Sequence, residues 1–152
     1  MYSIPIFCDA HGGKGMLHGV VHLEDGRIRL EYQTGDAVLQ RLRSSSEELL
    51  APFDALAGVR FHSGFLWMSP KIEIEFSDFK LVSRVPAGYA GKLILQVPRE
   101  SRAIAKKFVE ALDSELAFQR RVRLDKDIQR LSRVEPHPRL EAGIPNEGAP
   151  PD

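Results

Sequence analysis

Residues 16–36, "MLHGVVHLEDGRIRLEYQTGD", predict a β-hairpin and with it an antiparallel sheet. On each side of Asp25-Gly26, apolar residues recur at alternate positions, which is the period of a strand with one buried face. An Asp-Gly pair between two such runs is a strong signal for a two-residue hairpin turn. The apolar positions are Leu17, Val21 and Leu23 before the turn, and Ile28, Leu30 and Tyr32 after it.

Segments later in the chain predict further strands. The clearest is "KIEIEF" at residues 71–76, where apolar residues alternate with Glu73 and Glu75. The other strands are predicted at residues 49–53, from Val59 onward, at 78–85 and at 92–97, with a turn around Asp54 and a loop at 86–91.

A change of period after Pro98 predicts a carboxy-terminal helix. From Ser101, apolar residues fall at spacings of three and four, which places them on one face of an amphipathic helix. A narrower stripe continues through a basic segment, so the helix either runs on or is followed by a second one. The first stripe consists of Ile104, Ala105, Phe108, Val109, Leu112 and Leu116, and the second of Leu124, Ile128 and Leu131.

The order of these segments resembles small, mostly uncharacterised bacterial proteins with a pleckstrin-homology-like (PH-like) domain. The resemblance covers residues 17–117 and rests on "LLAPFDALAGVRFHSGFLW" (49–67), "IEIEF" (72–76), "KLILQVPRE" (92–100) and "SRAIAKKFVEAL" (101–112). It implies an α+β fold: a bent antiparallel β-sandwich or barrel of six or seven strands, capped by the amphipathic helix. It also implies a binding or scaffolding role without catalysis, although a shared fold does not fix the ligand.

The predicted organisation has four parts. Residues 1–16 form an amino-terminal extension, 17–118 the PH-like domain, 119–134 a basic helical extension and 135–152 a proline-rich tail that we expect to be disordered. The amino terminus is a poor secretory signal and no apolar run is long enough to cross a bilayer, so a cytoplasmic location is expected.

The segment "HSGFLWMSPK", residues 62–71, has two interpretations. In the favoured one, the strand from Val59 continues to residue 68 and its bulky side chains are buried between the core and the terminal helix. In the other, residues 63–70 form a hairpin tip that exposes hydrophobic surface for a partner or a membrane. The candidate contact residues are Phe65, Leu66, Trp67 and Met68.

Charge patterning indicates one basic segment in a chain without net charge. Lys plus Arg and Asp plus Glu number 21 each, which argues against a globally basic nucleic-acid binder. The segment after residue 118 could attach to an anionic membrane, to nucleic acid or to a partner helix, but packing on the same domain or on a second copy is favoured. Its candidate basic patch is Arg120, Arg121, Arg123, Lys126 and Arg130.

No residue pattern indicates a catalytic, cofactor or metal site. His18 and His22 share a strand face but lie about 13 Å apart, whereas zinc ligands lie within about 2.1 Å of the ion. A nucleophilic Cys8 beside His11 has no third group to orient it and no evident oxyanion hole.

Three basic residues resemble the phosphoinositide-binding string of PH domains, a Lys and an Arg-x-Arg pair around the loop that joins the first two strands. Here they are Lys14, Arg27 and Arg29. If Asp25-Gly26 is that first turn, Lys14 lies too far along the chain to share a site with the arginines. If a separate strand precedes residue 8, "HGGKG" becomes a loop of its own and this objection weakens.

The sequence thus predicts a non-enzymatic, self-associating module that recognises a protein or peptide. The alternative is a peripheral membrane protein that uses the loop at 65–68 together with the basic helix. Nucleic acid is not expected as a partner, and no cofactor is expected.

Overall fold

The protein is described by a computed structural model that covers residues 1–36 and 45–133. The predicted disordered tail at 135–152 lies outside the described residues. The chain divides into two compact units, Met1–Gln119 and a second one that begins at Arg120.

The described residues of the first unit form eight strands and a short helix, and a long helix begins after them. The strands are β1 (Tyr2–Ala10), β2 (Gly15–Glu24), β3 (Arg27–Asp36), β4 (Glu47–Pro52), β5 (Leu56–His62), β6 (Lys71–Phe76), β7 (Gly88–Tyr89) and β8 (Lys92–Gln96). The helices are α1 (Phe79–Val82) and α2 (Arg102–Arg133), so the two terminal stripes lie on one continuous helix.

All the strand pairs are antiparallel, in the order β4-β3-β2-β1-β8-β6-β5, with β7 paired to β8. The predicted hairpin is confirmed, because β2 and β3 are joined by Asp25 and by Gly26 at φ 77°. The α+β class, an antiparallel sheet with a carboxy-terminal helix, is also as predicted.

The sheet consists of two groups of strands joined at a narrow junction. β1 pairs with β2 along its whole length, from Tyr2 to Ala10, but meets β8 at one residue pair, Phe7 and Gln96. Consecutive hairpins build β1 to β4 on one side of this junction, and β5, β6 and β8 lie on the other.

One hydrophobic cluster collects the inward side chains of both groups and of α2. Each long strand contributes alternate residues, which is the pattern expected of a sheet with one face on the core. The helix covers the cluster with residues spaced by three or four: Ala105, Phe108, Val109, Leu112 and Leu116. Ile104, predicted to belong to this stripe, is instead partly exposed.

Residues 2–10 are part of the sheet, which corrects the predicted extension at 1–16. Ile4, Ile6 and Cys8 alternate into the core from β1, as in a strand with one buried face. The residues between them, on the outward face, do not show the regular polar alternation of such a strand. Pro5 obscures the signal because proline is rare within central strands. It lies on the outward face, where β1 is paired with β2 and has not yet met β8.

Residues 79–82 form α1, which corrects the strand predicted at 78–85. The Asp78 carboxylate accepts a hydrogen bond from the Lys80 backbone N–H at 3.0 Å and caps the turn. Asp is among the preferred N-cap residues because it satisfies a backbone donor at the start of a helix. Val82 and Val85 still enter the core, but on consecutive turns.

Two glycines provide a matched test of how closely β2 and β3 approach. A methyl group at Gly19 would lie 2.1 Å from the Glu31 carbonyl oxygen and 3.0 Å from the Tyr32 Cβ, whereas one at Gly58 would meet nothing within 4 Å. We therefore expect Gly19→Ala to lower the free energy of unfolding by about 1–3 kcal/mol, because β2 and β3 must separate. Gly58→Ala should be neutral or slightly stabilising. Urea denaturation followed by circular dichroism measures both, and equal effects would contradict the close approach.

Candidate functional site

The loop between β5 and β6 presents four large apolar side chains to solvent. Phe65, Leu66, Trp67 and Met68 are 72, 61, 78 and 50% exposed. We call residues 65–68 the apolar tip. Among monomeric soluble proteins, a contiguous exposed apolar patch is characteristic of a contact site, whereas isolated exposed apolar residues are common.

The backbone holds the tip in a fixed turn. The Met68 N–H donates to the Phe65 carbonyl at 3.0 Å. Gly64 has φ 72°, and a Cβ there would lie 2.4 Å from the Met68 carbonyl oxygen, so only glycine fits. Leu66 also has a positive φ, 55°, which costs a leucine roughly 1–2 kcal/mol. The fold thus accepts backbone strain in a turn that leaves its side chains outside the core.

The favoured interpretation of this segment, a buried strand from Val59 to Met68, was wrong. β5 ends at His62, and the four apolar residues that follow it are exposed, so neither the core nor α2 covers them. Pro70 is buried and its carbonyl accepts a 2.8 Å hydrogen bond from the Val97 N–H, which fixes the base of the loop. The apolar run therefore begins after one strand has ended and finishes before the next begins.

Basic residues lie at the base of the tip. Lys71 is the first residue of β6 and pairs with Gln96 at the end of β8. After β8, the Val97 N–H donates a hydrogen bond to the Pro70 carbonyl, which holds this part of the chain at the base of the loop. Arg99 follows two residues after Val97. The acidic neighbour in that turn is Glu100, and Arg102 follows it.

The nearest carboxylate on β6 is already engaged by cations. Glu73 accepts hydrogen bonds from Lys92 Nζ at 3.0 Å and from His62 Nε2 at 3.3 Å. The bond from Lys92, followed by the one from His62, lowers the pKa of Glu73 despite some desolvation. Glu73 consequently offers little unbalanced negative charge near the tip.

The predicted basic patch lies on α2, in the second unit. The side chains of Arg120, Arg121, Arg123, Lys126 and Arg130 are exposed. The apolar stripe on the same segment, Leu124, Ile128 and Leu131, is exposed as well. Its predicted packing on the domain or on a second copy stays a prediction.

The phosphoinositide-like string is not assembled. Lys14 lies just before β2, whereas Arg27 lies just after its other end. A strand of ten residues is about 30 Å long, so the two side chains start from opposite ends of it. "HGGKG" is indeed a separate loop after β1. Arg29 is already paired with two carboxylates, because its guanidinium nitrogens lie 2.8 Å from a Glu24 oxygen and 3.0 Å from a Glu31 oxygen.

The candidate nucleophile and metal ligands are dispersed. Cys8 is buried, and burial, reinforced by the charge of Asp9, raises the pKa of its thiol to about 12. The thiolate needed for nucleophilic attack is therefore scarce. His22 lies beside Ser3, 2.8 Å from Nδ1 to the hydroxyl oxygen. Among the described residues, no three His, Cys, Asp or Glu side chains converge as a metal site.

A second exposed surface was not anticipated from the sequence. Phe79 and Tyr89 protrude beside a groove that includes Val82 and Gly91. No periodic signal marks these residues, because their exposure depends on the α1 turn and on the Ala90-Gly91 turn, both residues of which have positive φ.

No family model, curated protein or solved structure matches the chain. Membership of the PH-like proteins thus stays a prediction from the sequence. No helix in residues 1–36 and 45–133 is both long and apolar enough to span a bilayer.

The exposure of the tip predicts that it contributes little to folding. The double variant Phe65→Ser/Trp67→Ser should change the free energy of unfolding by no more than about 0.5 kcal/mol per site. Ile72→Ala, five residues after Trp67 at a fully buried position of β6, should cost about 2–5 kcal/mol. Urea denaturation by circular dichroism measures both variants, and a loss in the double variant as large as that of Ile72→Ala would place the tip in the core.

Buried protonated groups predict an alkaline limit to stability. Burial raises the pKa of Cys8 from 9.0 to about 12, and burial with the hydrogen bond to Glu47 raises the pKa of Tyr32 from 10.0 to about 12. Above pH 9 the unfolded chain loses these protons before the native one, so the free energy of unfolding should fall as pH rises toward 12. Below pH 9 these groups contribute no slope.

The measurement is a series of urea midpoints between pH 8 and 12. Cys8→Ala should remove the part of the decline that begins near pH 9, whatever its effect on stability at neutral pH. An unchanged decline in this variant would show that Cys8 does not carry it.

Proposed function

We propose that this chain is a non-enzymatic binding module and that the apolar tip is its contact element. The observation that carries the proposal is the exposure of four adjacent large apolar side chains in one loop. Phe and Trp side chains bury about 150–250 Å² each when covered. The four side chains of the tip therefore expose on the order of 500 Å², which is as large as the largest exposed apolar patch of a typical monomer.

The construction of the loop supports a role in contact. Two positive φ angles and a buried proline at its base hold the turn, so little conformational freedom is lost when a partner covers it. Aromatic residues and Met are also the side chains enriched in the cores of interfaces.

The chemistry of the titratable groups supports a role without catalysis. Cys8 is neutral and buried, and the carboxylates with lowered pKa values, Glu24 and Glu73, are held by Arg27 and Lys92. Ion pairs of this kind hold both carboxylates in their charged form on the outer face of a sheet, which explains the two lowered pKa values without acid–base catalysis.

Two classes of partner can use the same four side chains. One is a protein or peptide, including a second copy of the chain. The other is a membrane surface. The PH-like resemblance is compatible with either, because that fold does not specify a ligand.

Site-specific photo-crosslinking in living cells tests the proposal without assuming the partner. A photoreactive phenylalanine analogue replaces Trp67 in one variant and Ile94 in a control variant. Ile94 is also apolar and exposed, but it lies on the outer face of β8, away from the tip in sequence. We expect adducts from position 67 and none above background from position 94.

The mass of the adduct identifies the class of partner: a protein, a second copy or a lipid. Adducts that form equally from both positions, or from neither, would contradict a contact role for the tip.

A further inference from the structure

We infer that the occupant of the apolar tip is the surface of an anionic membrane, into which Trp67 and Phe65 insert while the cations at the base of the loop contact lipid headgroups. This inference rests on the proposed function, since it names the partner of the same site.

The tip has the composition of an interfacial insertion element. Trp is enriched at the boundary between headgroups and acyl chains because its ring is apolar with one polar edge. Trp67 and Phe65 are the most exposed of the four residues, and Leu66 and Met68 add purely apolar surface beside them. The serines on either side, Ser63 and Ser69, end the apolar run after four residues.

The charge around the tip is complementary to an anionic surface. Lys71 follows the loop directly, and Arg99 lies two residues after Val97, whose N–H donates to the Pro70 carbonyl at the base of the loop. Glu100 and Arg102 come next along the chain, so the cations of this segment outnumber its one carboxylate. Glu73, on the strand that leaves the loop, is already paired with Lys92 and His62. Two copies meeting tip to tip would bring the same cations together, so the charge favours an anionic occupant over self-association.

The insertion is limited to a few residues, so membrane binding should need both the apolar insertion of the tip and the attraction of the basic residues to anionic lipid. A single myristoyl chain gives only marginal, reversible attachment to a membrane, and stable attachment requires a second signal such as basic residues. Insertion of four apolar side chains should likewise give only weak, reversible attachment. Affinity for vesicles should therefore depend on anionic lipid and decrease with salt.

Vesicle binding by the full chain tests the inference. The probes are phosphatidylcholine vesicles and mixed phosphatidylcholine–phosphatidylserine vesicles, with co-sedimentation for affinity and the emission of Trp67, the only tryptophan, for insertion. We expect emission that is red-shifted in buffer, shifts to the blue with the mixed vesicles, and returns toward the red at high salt. Inorganic phosphate added alone should leave the emission unchanged.

Matched variants separate the two contributions. Lys71→Gln/Arg99→Gln should weaken binding by roughly tenfold or more, since each basic residue near an anionic surface contributes several-fold in affinity. Lys80→Gln/Arg84→Gln, an equal change of charge on and beside α1, should have little effect. Phe65→Ser should reduce co-sedimentation and Ile94→Ser should not.

The outcomes distinguish this inference from the proposed function. Wild-type protein that neither sediments with mixed vesicles nor changes its emission overturns the membrane inference. If position 67 then crosslinks to a protein or to a second copy in cells, the contact role of the tip survives with a different partner. Equal binding to both kinds of vesicle, insensitive to salt, overturns the role assigned to the cations.

Discussion

The structure depends on one-sided burial: each long strand gives one face to a single hydrophobic cluster, and the first part of α2 covers that cluster. Phe108 and Leu112 are completely buried at this position. The apolar tip is not part of this cluster, because β5 ends at His62 and the chain turns at Gly64 before β6 begins.

The same burial explains which elements could be predicted from the sequence. The β2-β3 hairpin, β6 and the first turns of α2 each carry a regular apolar period over enough residues to define a buried face. β1 carries the period as well, in Ile4, Ile6 and Cys8. Pro5 and the distance in sequence to β8 concealed it, because pairing between Phe7 and Gln96 has no local signature. At α1, the capping bond that the Lys80 N–H donates to Asp78 favours a helical turn, although the short apolar run there is equally compatible with a strand.

The candidate site shows a further limit of periodicity. Phe65, Leu66, Trp67 and Met68 were identified as contact candidates, yet their burial was favoured because a run of apolar residues is typical of a strand covered on both faces. Gly64 and Pro70 at the ends of the run were the better signal, since both are turn residues. What the sequence could not supply was the hydrogen bond from Val97 to Pro70, which fixes where the loop leaves the sheet. It also could not indicate that the segment leading to Arg99 returns to the base of this loop, because that depends on the pairing of β6 with β8.

The state of Cys8 has a practical consequence for spectroscopy. It is the only cysteine of the chain, and burial raises its pKa to about 12, so the thiol stays protonated at neutral pH. Maleimides and related reagents attack the thiolate, and the side chain is buried as well. A cysteine introduced on the surface can thus carry a fluorophore or a spin label while the native residue stays unmodified. The loop between β5 and β6 can be followed at a single labelled position without first removing a side chain from the core.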